Sequence, residues 1–274
     1  MKKFKLIQFV MAVCVIILSS CSNDDAQPQP EKPKNYVLVH GAWQAPFVWQ
    51  AVKTNLEKKG NKVVVVELPG HGADQTPPSQ ITLDVYKEKV INALSTIDGK
   101  VILVGHSLGG MIISSVAEAM PEKIEKLVYV AAYLPVSGQT LDQLAHMDPD
   151  SQLGITGNLI FHYDQGIVDV KEDQIVNLFI QDGAPEIQNL VLKNYRTEPL
   201  TPFINPVMLT DKNFGSVKKV YIKTLQDHVV SPYLQNKMIA AGKVESVYEI
   251  NTGHSPFLSK PDDLSSILTK IASN

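Results

Sequence analysis

Apolar positions between residues 35 and 272 follow two alternating patterns. Short runs of apolar, mostly β-branched residues predict buried strands, and apolar residues at three- and four-residue spacing predict helices between them. The predicted strands cover residues 35–39, 62–67, 101–104, 126–132, 217–223 and 244–249. The predicted helices cover residues 46–59, 82–97, 111–120, 233–241 and 262–272. This alternation predicts an α/β fold, in which helices cover both faces of a mostly parallel sheet.

The alternation breaks down between Leu134 and about Lys212. The stretch is rich in Asp, Gln, Gly and Pro, and it is too long for a simple loop in a compact domain. Short helical patterns occur within it at residues 175–180 and 185–192. We therefore predict an inserted helical cap over about residues 134–212.

A Gly-x-Ser-x-Gly motif follows the central predicted strand. Residues 101–110 read VILVGHSLGG, and a predicted helix comes directly after them. Strand, tight turn and helix are the context of a nucleophile elbow, in which glycines on either side of the serine allow close approach. The motif therefore predicts that Ser107 is a nucleophile, whereas a chance match in a loop would lack these flanking elements.

A serine nucleophile needs a base, and the base needs an acid that orients it. On this kind of fold the chain order is serine, acid, histidine, each after a strand. His254 lies in the turn between the last predicted strand and the last helix, which makes it the candidate base. Asp227 follows the strand at 217–223 and is the candidate acid, unless it is only a surface turn residue beside His228.

A tetrahedral intermediate also needs two backbone N–H donors for its oxyanion. The residue after the nucleophile, Leu108, supplies one. The loop after the first strand is expected to supply the other, and Ala42 in the segment His40-Gly41-Ala42-Trp43 fits that position.

Composition and charge narrow the class of protein. The chain has 274 residues, of which 44% are hydrophobic, so it can bury the core of one large domain. A net charge of −3 offers no basic surface for nucleic acid. Histidine and carboxylate side chains do not fall at metal-ligand spacings, and serine acyl transfer needs no metal, so we expect neither metal nor cofactor.

The N-terminal segment predicts export and a lipid anchor. Lys2, Lys3 and Lys5 precede the apolar stretch Leu6–Leu18, which is shorter than the roughly 20 residues that span a bilayer. The stretch ends Leu-Ser-Ser-Cys at Cys21, which resembles a bacterial lipobox, although an ordinary signal peptide is the alternative.

The lipobox interpretation divides the chain into three parts. Residues 1–20 are then a lipoprotein signal peptide, residues 21–34 a polar, Pro-rich tether, and residues 35–274 the folded domain. Lipidated Cys21 would hold the protein to a membrane of the bacterial cell envelope, and we expect this to be the outer membrane. The folded domain would then face either the periplasm or the cell surface. The chain's other cysteine, Cys14, leaves with the signal, so no disulfide is expected.

Five segments in matching order resemble one branch of the α/β-hydrolase fold. The branch contains plant methyl salicylate and methyl jasmonate esterases, hydroxynitrile lyases and related bacterial esterases. The resemblance implies a triad of Ser107, Asp227 and His254, and oxyanion donors at Ala42 and Leu108. It also implies a mostly apolar pocket under the cap, flanked by Trp43 and Tyr133. The matching segments are residues 37–43, 63–72, 101–110, 128–135 and 220–232.

Three positions separate the esterases from the lyases of this branch. The lyases carry threonine where this chain has Gly41, lysine where it has Ser255, and glutamate where it has His106. Serine cannot replace the charge of the lysine. The resemblance therefore implies a carboxylesterase-type hydrolase acting on a small, mostly apolar or aromatic ester. The alternatives are a hydroxynitrile lyase and a non-catalytic lipoprotein that binds a small ligand.

Overall fold

The computed structural model describes residues 32–155 and 157–274, and residues Pro33–Asn274 form one unit. The strands in this part of the chain are β1 (Asn35–Val39), β2 (Lys62–Val66), β3 (Val101–His106), β4 (Ile124–Val130), β5 (Leu159–His162), β6 (Ile167–Val170), β7 (Glu198–Pro199), β8 (Lys219–Thr224) and β9 (Ser246–Ile250). The helices are α1 (Gln50–Lys58), α2 (Leu83–Ser95), α3 (Gly109–Ala119), α4 (Leu141–Ala145), α5 (Ile175–Phe179), α6 (Pro185–Asn194), α7 (Thr201–Ile204), α8 (Pro232–Ala241), α9 (Pro256–Ser259) and α10 (Pro261–Ser273).

Six strands form the main sheet in the order β2-β1-β3-β4-β8-β9, and every neighbouring pair is parallel. The strand order reverses between β1 and β3. Ligands of open α/β sheets bind beyond the carboxyl ends of the strands at such a reversal. The loops after β1 and β3 therefore meet at the expected place for a site.

Two apolar layers cover the faces of this sheet. Alternate residues of β1 point to opposite faces, as the two-residue period of a strand requires: Val37 and Val39 enter one layer, Tyr36 and Leu38 the other. Helices α2 and α3 pack together on the first face, and α1 and α10 on the second. The central strand β3 is buried along its whole length, as a parallel strand covered on both faces must be. The predicted α/β architecture is confirmed.

The cap differs in part from its prediction. Helices α5 and α6 form where the sequence shows short helical patterns. However, β5, β6 and β7 also form a small antiparallel sheet, so the cap is not purely helical. Burial does not alternate along β5, whose two central residues are both exposed, whereas β6 alternates between half-buried and buried residues, and the two-residue strand β7 is too short to show a pattern.

The predicted signal peptide, Cys21 and most of the predicted tether lie outside the described residues. Within the described part of the chain, no helix has the length and apolar character needed to cross a membrane.

Candidate active site

Ser107 occupies a strained turn between β3 and α3. Its φ is +53°, a left-handed value that non-glycine residues adopt at a cost and that recurs at functional sites. The turn is tight: a Cβ on Gly105 would lie 2.6 Å from the carbonyl oxygen of Gly109. Only glycine at position 105 therefore lets the strand and the helix approach this closely, as the sequence motif predicts.

Two backbone amides near Ser107, those of Ala42 and Leu108, have no acceptor within the described part of the chain. Both residues are almost fully buried. Among residues 32–155 and 157–274, neither amide N–H donates a hydrogen bond to a protein acceptor. Buried backbone N–H groups are nearly always hydrogen-bonded. Two N–H groups without an acceptor beside a nucleophile are therefore typical of an oxyanion hole.

His40 fixes the peptide group to which the Ala42 amide belongs. Its Nε2 accepts a hydrogen bond from the Leu68 N–H at 3.3 Å, so the proton sits on Nδ1 and is donated to the Gly41 carbonyl at 2.9 Å. Burial and the neighbouring His71 lower the pKa of His40 to about 3. The ring is therefore neutral, and this tautomer holds the Gly41–Ala42 peptide in one orientation.

Asp227 and His254 form a buried pair. The Asp227 Oδ2 lies 2.9 Å from the His254 Nδ1, which must carry a proton to donate to it. The other carboxylate oxygen accepts the N–H groups of Val229 and Val230 at 2.8 and 3.0 Å. A carboxyl group held by these hydrogen bonds fixes the imidazole tautomer, with the proton on Nδ1 and with Nε2 available as a base.

His106 joins the nucleophile turn to the base loop. Its Nε2 donates to the His254 carbonyl at 2.8 Å, and the two rings are 4.5 Å apart. Burial and the neighbouring His254 lower its pKa well below the ordinary value of 6.5, so the ring stays neutral. The residue before Ser107 thus anchors the loop that carries His254, a role that the sequence motif alone does not indicate.

Ser107, Ala42 and Leu108 line one cavity of about 70 Å³ beneath the cap. Trp43 and Tyr133 line it too, as the resemblance implies. The remaining lining residues are apolar apart from Asp142: Leu141, Ala145, Leu153, Leu159, Phe161, Val168, Leu200, Phe203, Ile204 and Val229. In the described part of the chain, no group of three or more His, Cys, Asp or Glu side chains is arranged to hold a metal ion. The cavity therefore suits an uncharged, largely apolar group.

Glu198 of β7 is a buried charged residue whose role sequence analysis missed. Its carboxylate accepts hydrogen bonds from the Trp43 N–H and from the side chains of His71 and Tyr86. Its partners are 155, 127 and 112 residues away in the chain, so no local pattern signals the cluster. The family resemblance extends to the segment Glu198-Pro199-Leu200 late in the cap, but it assigns no role to Glu198.

These features define a member of the alpha/beta hydrolase family. The family model matches residues 36–267, so the chain belongs to this family, and the predicted resemblance is confirmed.

The relatives include both esterases and lyases. A chloroplastic protein of Arabidopsis thaliana, provisionally named methylesterase 15, is 32% identical over 251 residues, 87% of this chain. The chain spans only 56% of that relative's length. The (S)-hydroxynitrile lyase of Manihot esculenta is 30% identical over 255 residues, covering 87% of this chain and 97% of the lyase.

A solved structure supports the fold. The crystal structure of polyneuridine aldehyde esterase matches with a TM-score of 0.79 and 24% identity, over 88% of this chain and all of that chain.

Proposed function

We propose that this protein is a carboxylic ester hydrolase that acts on small, mostly apolar or aromatic esters through an acyl-enzyme. The observation that carries the proposal is the convergence of Ser107 and the unpaired amides of Ala42 and Leu108 on one apolar cavity. The hydrogen-bonded pair of Asp227 and His254 supplies the orienting acid and the base.

The reaction proceeds in two halves. The Ser107 Oγ attacks the ester carbonyl carbon while the His254 Nε2 takes its proton. The carbonyl oxygen becomes an oxyanion that accepts hydrogen bonds from the Ala42 and Leu108 amides. Collapse of this intermediate expels the alkoxide, which leaves as the alcohol with the proton from His254.

The second half hydrolyses the acyl-enzyme. His254 removes a proton from a water molecule, whose oxygen attacks the acyl carbonyl carbon. The second intermediate releases the carboxylic acid, and His254 returns the proton to the Ser107 Oγ. Asp227 stabilises the imidazolium formed in both halves.

The cavity supports the choice of substrate class. Its lining is apolar except for Asp142, so a charged acyl group would lose its hydration without gaining a partner. A relative named as a methylesterase favours an ester with a small alcohol.

The 30% identity to a hydroxynitrile lyase makes cyanohydrin cleavage the second candidate. The geometry around Gly41 argues against it, because a Cβ there would lie 2.7 Å from the Ser107 Cβ and 2.9 Å from the His106 Nδ1. The lyase threonine therefore has no room at this position. Ser255, which replaces the lyase lysine, is buried and accepts a hydrogen bond from the Gln44 Nε2 at 3.1 Å.

A panel of aryl, methyl and thio esters of graded acyl length tests the proposal, together with labelling by a fluorophosphonate. Ester turnover and labelling at Ser107 are expected. Faster cyanide release from mandelonitrile than hydrolysis of an aryl acetate would favour the lyase. Neither turnover nor labelling would favour a non-catalytic binder.

We also propose that Cys21 anchors the protein to the cell envelope through lipid, on the strength of the lipobox-like Leu-Ser-Ser-Cys. Cys21→Ser should release the protein from the membrane fraction while the specific activity stays unchanged. Sedimentation of the variant with membranes would contradict a lipid anchor at this position.

A further inference from the structure

The cap contacts the oxyanion loop, residues 40–43, through the carboxylate of Glu198. Its side chain is fully buried. Its Oε2 accepts from the Trp43 N–H at 2.9 Å and from the His71 Nε2 at 2.8 Å, and its Oε1 accepts from the Tyr86 hydroxyl at 2.9 Å. All three donors belong to the sheet-and-helix part of the chain, not to the cap. A buried carboxylate is costly, and breaking up such a cluster leaves an uncompensated charge.

The first of these bonds acts next to the oxyanion hole. Trp43 directly follows Ala42, and its φ of +58° is a left-handed value that a bulky side chain disfavours. The hydrogen bond from its N–H to Glu198 fixes the plane of the Ala42–Trp43 peptide in this unfavourable turn. The direction of the neighbouring Ala42 N–H is thereby restrained from its C-terminal side.

The second bond acts on the other side of Ala42 through two histidines. The His71 Nδ1 lies 3.1 Å from the Pro69 carbonyl and its Nε2 faces Glu198, so both ring nitrogens donate and the ring is an imidazolium. Burial alone would lower the pKa of His71, but the Glu198 carboxylate, together with the Pro69 carbonyl and Asp74, raises it above its ordinary value.

The charged His71 lies beside His40, with ring centroids 5.1 Å apart, and helps to keep His40 neutral. Only the neutral ring can accept from the Leu68 N–H through Nε2 and at the same time donate from Nδ1 to the Gly41 carbonyl. Glu198 therefore influences the peptide groups on both sides of the Ala42 Cα: the Ala42–Trp43 peptide directly, and the Gly41–Ala42 peptide, which carries the Ala42 N–H, through His71 and His40.

We propose that Glu198 is a positioning residue that holds the oxyanion hole in its active geometry from the cap, so that the hole is complete only when the cap is seated on the core. The proposal rests on the esterase function proposed above. It assigns to a cap residue an effect on the chemical step, whereas the apolar lining of the cap affects substrate binding.

Two substitutions at this position separate positioning from general packing. Glu198→Ala removes the acceptor of the Trp43 amide. Glu198→Gln keeps an oxygen that can accept from Trp43 and should restore most of the activity. Asp169→Asn is the matched control, because Asp169 is a cap carboxylate that also accepts from a tyrosine hydroxyl, that of Tyr195, at 2.6 Å.

The readouts are kcat and KM for an aryl ester and the inhibition constant of an aryl trifluoromethyl ketone, whose adduct with Ser107 places an oxyanion in the hole. Loss of one oxyanion donor costs on the order of 10²- to 10³-fold in kcat, so a misaligned donor in Glu198→Ala should cost about 10- to 100-fold. KM should stay within about twofold, and the ketone should bind weaker by the same factor as kcat falls. The Asp169→Asn control should match the wild type in all three.

Three outcomes would overturn the proposal: wild-type kcat and ketone affinity in Glu198→Ala, a loss confined to KM, or no recovery in Glu198→Gln. If Glu198→Ala does not fold, Tyr86→Phe removes one bond to the same carboxylate and should give a smaller loss of the same kind. Failure of the esterase function looks different, because the wild type itself would then show neither turnover nor labelling, and both proposals would fall together.

Discussion

The two halves of the candidate site are held in different ways. The nucleophile half is built from backbone: the Ser107 carbonyl accepts from the N–H groups of Gly110 and Tyr133 at 3.0 and 3.1 Å, within fully buried surroundings. The acid and base half consists of loops after β8 and β9, and cap side chains hold both loops. The Gln181 amide donates to the Gln226 carbonyl at 2.7 Å, and the Asp182 carboxylate accepts from the Gly253 N–H at 3.0 Å.

This difference indicates that the cap does more than cover the cavity. A sheet with buried strands keeps the elbow in place on its own, because its geometry follows from close packing. The loops that carry Asp227 and His254 depend on two neighbouring cap residues for part of their hydrogen bonding. Movement of the cap should therefore change the alignment of the base while the nucleophile turn stays as it is.

Removing the nucleophile should have the largest effect. Ser107→Ala is expected to lower kcat by on the order of 10³- to 10⁶-fold, because both covalent steps are lost. The melting temperature should not fall, because the substitution removes only a hydroxyl group and leaves the apolar packing around the turn unchanged. Steady-state kinetics and thermal unfolding check both points, and an unchanged rate would refute the role of Ser107.

Weakening the contact between the cap and the loop that carries His254 should have an intermediate effect on kcat. Asp182→Ala removes the acceptor of the Gly253 N–H and should lower kcat by about tenfold, given that a misplacement of about 1 Å can cost on the order of 10²-fold. Asp173→Ala, at an exposed cap residue paired with Lys171 at 3.1 Å, is the control. Equal rates for the two variants would show that the cap does not align the base.

The pH dependence of stability should be the smallest effect, and its two arms have opposite causes. His40 and His106 have lowered pKa values, so the unfolded chain binds more protons below about pH 6.5 and stability falls as the pH drops from there. His71 has a raised pKa, so its contribution is complete below about pH 6.5 and is lost as the pH rises through the folded value.

Melting temperatures between pH 4 and pH 9 should therefore pass through a maximum near neutrality. His71→Gln should flatten the alkaline arm only, and His146→Gln, at an exposed cap position, should leave both arms unchanged. A melting temperature that rises steadily on acidification would contradict neutral, buried His40 and His106.

Much of the sheet and the elbow can be predicted because their signals are local. The run Val101–Val104 is apolar without interruption, and the glycines on either side of Ser107 follow directly. One short segment therefore predicts the strand, the turn and the start of the helix. The placement of Asp227 and His254 after successive strands follows from the chain order of the fold.

The cap carries no comparable signal. Strand β5 has exposed apolar residues such as Phe161, so burial does not alternate along it. The burial of Glu198 depends on three donors that are distant in the chain, and residue type alone predicts the opposite, an exposed carboxylate. Contacts of this kind arise only when the cap packs on the core, which sequence periodicity does not encode.

Trp43 gives the junction between cap and core an optical signature. Its ring lies 5.6 Å from those of Phe179 and Phe203, both cap residues, and its indole N–H donates to the Val168 carbonyl at 3.1 Å. The chain's other tryptophan, Trp49, packs in the layer on the opposite face of the sheet. A Trp49→Phe protein would therefore have Trp43 as its single tryptophan, and the emission wavelength of that indole would report hydration beneath the cap.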